Sequence, residues 1–405
     1  QNSSPPDFRV VNCTSKNKFA VNDLVHMLCH LPFNTQEFAF LRVCIFHSLP
    51  ASLLRTLPPG TKNILIFAAP AAVVDKWSLS ILLDDASVLY QAGQRKTSGL
   101  GPAWTRGEIE APAGEKNMGT YTMAIYTTEQ QNRLQIDETG QQKVEYITHE
   151  LLSPVECDYA LYLKYKNQSE IAKQRNNKIW SFWQRVLSEP LPVLHLPTDR
   201  PRPPSMTYEG SAHIISIPNN IANAARSFCA ASSVTVYAFL LTAFQSFLCR
   251  YTGQDDIIVG TPTACRTDDV FEKTVGYFVN PVAIRTDITG DPTFNALVER
   301  TSSSIISAMD HQAMPFSLLV ERLQPNRDAS RSPIFDVMFV LQRSHDTDGI
   351  DPRYFMGVDG VKFSLGDDLE CESIGLVQRH AQFDLTLMMS ENKDGFTAAF
   401  QYNTA

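Results

Sequence analysis

Three sets of side chains in this sequence have the types and spacing to do chemistry. His26 and His30 lie four apart in the stretch Val25-His26-Met27-Leu28-Cys29-His30, a spacing that puts two imidazoles on one helical face as metal ligands. No glutamate lies between them and no third ligand accompanies them, so an amphipathic helix accounts for the pair and no metal site is expected. His195 and Asp199, taken with a serine, have the residue types of a hydrolase triad, but no Gly-x-Ser-x-Gly occurs. The third set is Pro70-Ala71-Ala72-Val73-Val74-Asp75-Lys76-Trp77-Ser78-Leu79. Asp75 supplies a carboxylate there, and Ala71 has nothing that titrates.

The elements around that third stretch suit it to a site. Asn63–Ala69 is an almost continuous apolar run, as expected of a strand buried on both faces. Trp77, Leu79, Leu82, Leu83, Val88 and Leu89 then recur at helical spacing, and Ser78 or Ser80 can help begin that helix. A strand that hands a short loop to a helix start presents side chains into a cleft. Farther on, 166–188 reads as a helix that runs into Pro190, Pro192, Pro197, Pro201, Pro203 and Pro204, where only an extended connection fits. A strand over Ala212–Ile217, helices over 219–231 and 234–250, and a pair of strands around Phe383–Met389 and Phe396–Tyr402 follow. Gly253 is placed to end the second of these helices with a positive φ. Residues 93–150 are poor in large aliphatics and read as an insertion or surface loop, with Tyr121–Tyr126 and Val144–Ile147 forming a short hairpin.

The chain has 405 residues, enough for two lobes with separate cores. A net charge of −8 argues against nucleic acid and against an anionic membrane surface. No apolar run reaches the roughly 18–20 residues that span a bilayer. Eight cysteines are scattered without Cys-x-x-Cys spacing, which suits free thiols in a reducing cytoplasm rather than disulfides or zinc. Sequons at Asn2, Asn12 and Asn167 are read as chance matches. The start at Gln1, without an initiator Met, is read as belonging to a piece of a longer polypeptide.

Three longer phrases carry a resemblance. Residues 251–266 read YTGQDDIIVGTPTACR, 275–285 read VGYFVNPVAIR, and 311–335 read HQAMPFSLLVERLQPNRDASRSPIF. Together they resemble the condensation domains of nonribosomal peptide synthetases and of hybrid polyketide–peptide synthetases. That family carries a catalytic His-His-x-x-x-Asp ahead of Trp-Ser-Leu. Aligned on Asp75 and Trp77-Ser78, the first histidine falls at Pro70 and the catalytic one at Ala71. Both are lost. The family's opening phrases are also missing, so the first lobe is expected to be truncated at its N-terminus.

The resemblance implies an α/β, two-lobed, chloramphenicol acetyltransferase-like fold, a V-shaped pseudo-dimer. The lobes are expected at 1–188 and 206–405, joined by a Pro-rich crossing at 189–205. It implies an acyltransferase that forms an amide between a carrier-tethered acyl or peptidyl donor and an aminoacyl acceptor, impaired here by Ala71. The alternative is a non-catalytic docking or scaffold module that recruits carriers. An epimerase-type relative fits less well, since that reaction also leans on the missing histidine. No cofactor is bound directly, the substrates riding on phosphopantetheine arms. Partners are the donor and acceptor carrier domains and neighbouring synthetase domains.

For the site, Asp75 is implied to be structural, paired with Arg266 or Arg285, while Trp77, Ser78, Gly276 and Asn280 line the substrate channel. His311 is implied to be structural, and Arg327, Asp328 and Arg331 to fix a loop by local charge pairs. Cys157-Asp158-Tyr159-Ala160-Leu161-Tyr162 resembles a further family phrase, Tyr-x-Asp-Phe-Ala-x-Trp.

Overall fold

The computed structural model describes residues 7–12, 41–47, 60–70, 73–96, 120–127, 157–168, 170–266, 268–325, 328–343, 351–364, 370–375, 377–392 and 395–405, with a few isolated positions besides. The helix expected around His26 and His30, and Val144–Ile147, lie outside the described residues.

The chain divides into two compact units: Gln1–Tyr159 with Asp268–Tyr277 and His345–Leu376, and Ala160–Thr267 with Phe278–Ser344 and Val377–Ala405. The first holds β1 (Asp7–Asn12), β2 (Arg42–His47), β3 (Asn63–Pro70), α1 (Lys76–Lys96) and β4 (Thr120–Thr127). β3 reads as its apolar run requires, with Ile64, Ile66, Phe67, Ala68 and Ala69 all buried between neighbours on both sides. The stretch expected to be an insertion differs from that reading. α1 continues to Lys96, and Thr120–Thr127 is an inner strand of the sheet, antiparallel to β3. Alternation of Tyr121, Met123 and Ile125 is enough for a strand when tertiary partners supply the pairing.

The second unit takes up α2 (Tyr159–Gln168) from Ala160 onward, α3 (Glu170–Val186), β5 (Gly210–Pro218), α4 (Asn219–Ser232), α5 (Val236–Thr252) and β6 (Asp256–Thr263). Thr235 caps α5, accepting the N–H of Ala238 at 3.1 Å. Gly253 ends it at φ 73°, donating to the Cys249 carbonyl at 2.8 Å. After 268–277 the chain forms β7 (Asn280–Asp287), α6 (Phe294–Asp310), α7 (Phe316–Leu323) and β8 (Val337–Gln342). It returns to the first unit for β9 (Lys362–Ser364) and β10 (Glu370–Ser373), then closes the second with β11 (Leu385–Asn392) and β12 (Gly395–Asn403).

Each unit is thus built on one six-stranded sheet, in the order β1-β2-β3-β4-β10-β9 in the first and β5-β12-β11-β8-β6-β7 in the second. In the second, α3, α5 and α6 bury Trp183, Leu241, Leu248 and Leu297 with Phe339 and Ile257 of the sheet. No single helix among the described residues is long and apolar enough to cross a membrane.

The division falls after Tyr159, not at 189–205. α3 is amphipathic and buries Ile179, Phe182 and Trp183 in the second core, so it belongs with the sheet it covers. The proline-rich stretch is fastened to the same unit: Gln254 accepts the N–H of His195 at 2.7 Å and donates to the Val193 carbonyl at 2.9 Å.

Candidate functional site

The loop after β3 is described from Val73 onward. Pro70 is the last residue of β3, and Ala71 lies outside the described residues. Asp75 is fully buried and caps α1, its carboxylate accepting the Ser78 N–H at 2.8 Å and the Ser78 hydroxyl at 2.7 Å. Its own N–H donates to the Gly276 carbonyl at 3.2 Å.

Ser78 and Gly276 are bound to each other. Ser78 is fully buried, and its hydroxyl lies 2.8 Å from the Gly276 carbonyl and accepts the Gly276 N–H at 3.0 Å. Gly276 is required by close approach: a Cβ there would run into the ring of Tyr159. The Tyr159 hydroxyl donates to the Tyr277 carbonyl at 2.6 Å, and Thr274 donates to the Cys157 carbonyl at 2.6 Å. The Trp77 indole N–H donates to the Glu272 carbonyl at 3.0 Å. The Asp75–Ser78 turn, the Cys157–Tyr159 segment and residues 268–277 are therefore laced together inside the first unit.

Burial dominates the electrostatics of this loop. It pulls the Lys76 amine down to about 8 while its Nζ donates to the Phe355 carbonyl at 3.4 Å. It pushes the Tyr277 phenol up, and the nearby Asp75 carboxylate pushes the same way. Burial also raises the Asp85 carboxyl, against the pull of Lys273.

The remaining predicted residues lie in the second unit. Asn280 is buried, and its amide group is committed to backbone: Nδ2 donates to the carbonyls of Gln312 at 2.9 Å and Met314 at 2.7 Å, and Oδ1 accepts the Phe316 N–H at 2.9 Å. It is a structural tie between β7 and the start of α7. Arg285 forks onto Asp256, at 2.9 and 2.7 Å, and donates to the carbonyls of Val186 and Ser188 at 3.0 Å. Its guanidinium is thus bound to Asp256. Arg266 lies 3.9 Å over the Phe278 ring.

His311 stacks on Phe182 with ring centroids 3.9 Å apart, and its Nδ1 sits 2.7 Å from the Ser307 carbonyl. Asp328 accepts both the N–H and the hydroxyl of Ser330, and Arg331 reaches Asp336 at 2.7 Å. Arg327 lies outside the described residues. Among the described residues no three His, Cys, Asp or Glu side chains come together as metal ligands.

Sequence reasoning missed Lys76 and Thr274, neither of which carries any motif. Tyr159 stood inside the Cys157–Tyr162 phrase, which was the available signal.

Solved structures with this architecture define the class. A four-domain nonribosomal peptide synthetase bound to AMP and glycine superposes with a TM-score of 0.67 at 18% identity, covering 99% of this chain and 25% of that one. The condensation domain of the monacolin K polyketide synthase MokA gives 0.64 at 15% identity, covering 98% and 74%. The fold is the chloramphenicol acetyltransferase-like fold of condensation domains.

Residues 148–405 match the sequence profile described as Condensation domain, and the chain belongs to that family. It is 32% identical over 254 residues to the malpinin synthetase of Mortierella alpina, covering 63% of this chain and 3% of that protein. It is 28% identical over 373 residues to the phosphinothricin tripeptide synthetase PhsB of Streptomyces viridochromogenes, covering 92% and 25%. The chain thus spans a small part of the length of the curated relatives it matches.

Proposed function

We propose that this chain is a condensation-type acyltransferase region of a multidomain cytoplasmic synthetase, working without the family's imidazole base. A carrier-held aminoacyl amine attacks the thioester of a donor held on a second carrier's phosphopantetheine arm. The N–C bond forms, the C–S bond breaks, and the amine proton must leave without an imidazole at position 71. Neighbouring synthetase domains supply both carriers.

The observation that carries this reading is a contrast within one loop. Asp75, Trp77 and Ser78 keep the hydrogen bonds that fix the loop, while Ala71 and Pro70 stand where the histidines belong. Loss of a positioned base costs about 10²–10⁴ in rate, leaving proximity as the remaining contribution. The same contrast supports a second reading, a docking module that binds carriers and transfers nothing.

Intact-mass analysis of an acceptor carrier, mixed with a loaded donor carrier, tests both. The unmodified chain and Ala71→His are compared in the parent protein. Transfer that appears or accelerates with Ala71→His supports the impaired enzyme. Carrier binding with no transfer by either supports the docking module.

A further inference from the structure

We infer that β5 is a docking edge for a second copy of this chain, the two β5 strands pairing antiparallel across a two-fold axis at Ile215. β5 ends the order of the second sheet, and β12 is its partner strand. Glu209 turns its carbonyl toward the β12 side, accepting the Thr404 N–H at 3.0 Å, while the next residue, Gly210, donates the other way, to the Arg379 carbonyl at 2.9 Å. Backbone groups alternate along a strand, so the odd-numbered residues of β5 face β12 and the even-numbered ones face outward. At the start of β5 the outer side is taken by Arg379 and by Ala381, whose N–H donates to the Tyr208 carbonyl at 3.0 Å. At its end Pro218 has no N–H to offer. Between these limits His213–Ser216 is an exposed run. Among the described residues, no strand lies against the outward N–H and C=O groups of Ile214 and Ser216.

This run has none of the devices that keep an edge strand apart from other chains, which are charges, an internal proline or a short length. From Gly210 to Ala225 there is no Lys, Arg, Asp or Glu. Ile214, Ile215 and Ile221, all within that stretch, are 39, 37 and 55% exposed. A chain with a net charge of −8 repels its own copies over most of its surface, and a neutral stretch is where two copies can approach.

The run also complements itself, as a two-fold interface requires. About an axis at Ile215, Ile214 lies opposite Ser216 of the second copy, and Ser216 lies opposite Ile214 of the second copy. Every outward N–H of these two residues then meets an outward carbonyl. Ile215 falls in the closer kind of antiparallel pair, with about 4.5 Å between Cα atoms, and packs against Ile215 of the second copy. An interface this small gives a weak, concentration-dependent dimer.

Sedimentation of the intact chain over a range of concentrations should show monomer giving way to dimer. Ile215→Lys sets two ammonium groups against each other at the axis and should weaken dimerisation roughly tenfold or more. Ile215→Cys should link to itself under mild oxidation, read by mass spectrometry as a disulfide joining two copies of the same peptide. His213→Cys should not, because its counterpart lies about 13 Å away along the strands. If Ile215→Lys does not fold, amide exchange of the unmodified chain decides. The Ile214 and Ser216 amides should slow as concentration rises, while those of Ile215 and Ile217, turned to β12, stay slow throughout. A monomer at every concentration, a dimer untouched by Ile215→Lys, or equal linking at 213 and 215 would overturn the inference. So would slow exchange of Ile214 and Ser216 in the monomer, which would mean that another segment already covers the edge.

Discussion

The side-chain oxygen of Asn280 accepts the N–H of Phe316, the first residue of α7, at 2.9 Å. Pro315 stands at the N-cap of α7 and gives it no side-chain cap. Asn280, from β7, does that work from a distance, and its Nδ2 binds the two carbonyls of the preceding turn.

Replacing this residue should therefore damage folding. Asn280→Ala orphans two carbonyls and a helix N–H, and Asn280→Asp turns a carboxylate toward those carbonyls. Each should cost about 2–3 kcal/mol, read as a fall in urea midpoint at unchanged slope. An unchanged midpoint would mean the amide is not a structural tie.

Lys76 makes stability depend on pH. Its amine titrates at about 8 when folded and at the ordinary 10.5 when unfolded. Below about 8 both states are charged and the burial penalty is fully present. Between about 8 and 10.5 the unfolded chain holds the extra proton, so stability rises with pH through that window. Lys76→Met should be stabilising at pH 7, and its advantage over the unmodified chain should shrink by pH 10. Comparing the two midpoints at each pH cancels the opposing loss from buried acids such as Cys371, whose thiol burial pushes up to about 12.

Tyr354 is buried against Phe363, and its hydroxyl has no hydrogen-bond partner among the described residues. Burying an unsatisfied hydroxyl costs about 1–3 kcal/mol. Tyr354→Phe keeps the ring contacts and should leave the urea midpoint unchanged or raise it. A fall of more than about 1 kcal/mol would show that the hydroxyl contributes to stability.

Local signals in the sequence were reliable where one element decides its own form. The apolar run at 63–69 became β3, the apolar helix after Val234 stopped at Gly253, and Gly395, at φ 136°, turns β11 into β12. The assignments that changed all depend on distant partners. β4 pairs with β10, some 245 positions later, and Gly276 meets Tyr159 across more than 100. Periodicity holds no record of such pairings. Motif matching located Asn280, Ser78 and Arg285 within the family's phrases, but whether a polar group faces a channel or a carbonyl is decided by packing. Ala71 was legible at once, because the absence of an imidazole needs no structure to be seen.

The lost base is tested most simply by the single-turnover rate of acyl transfer between carriers, measured with the unmodified chain and with Ala71→His in the parent protein. A rate about 10²-fold or more higher is expected for Ala71→His, the contribution of a restored general base. Equal rates, with full transfer by the unmodified chain, would contradict an impaired site.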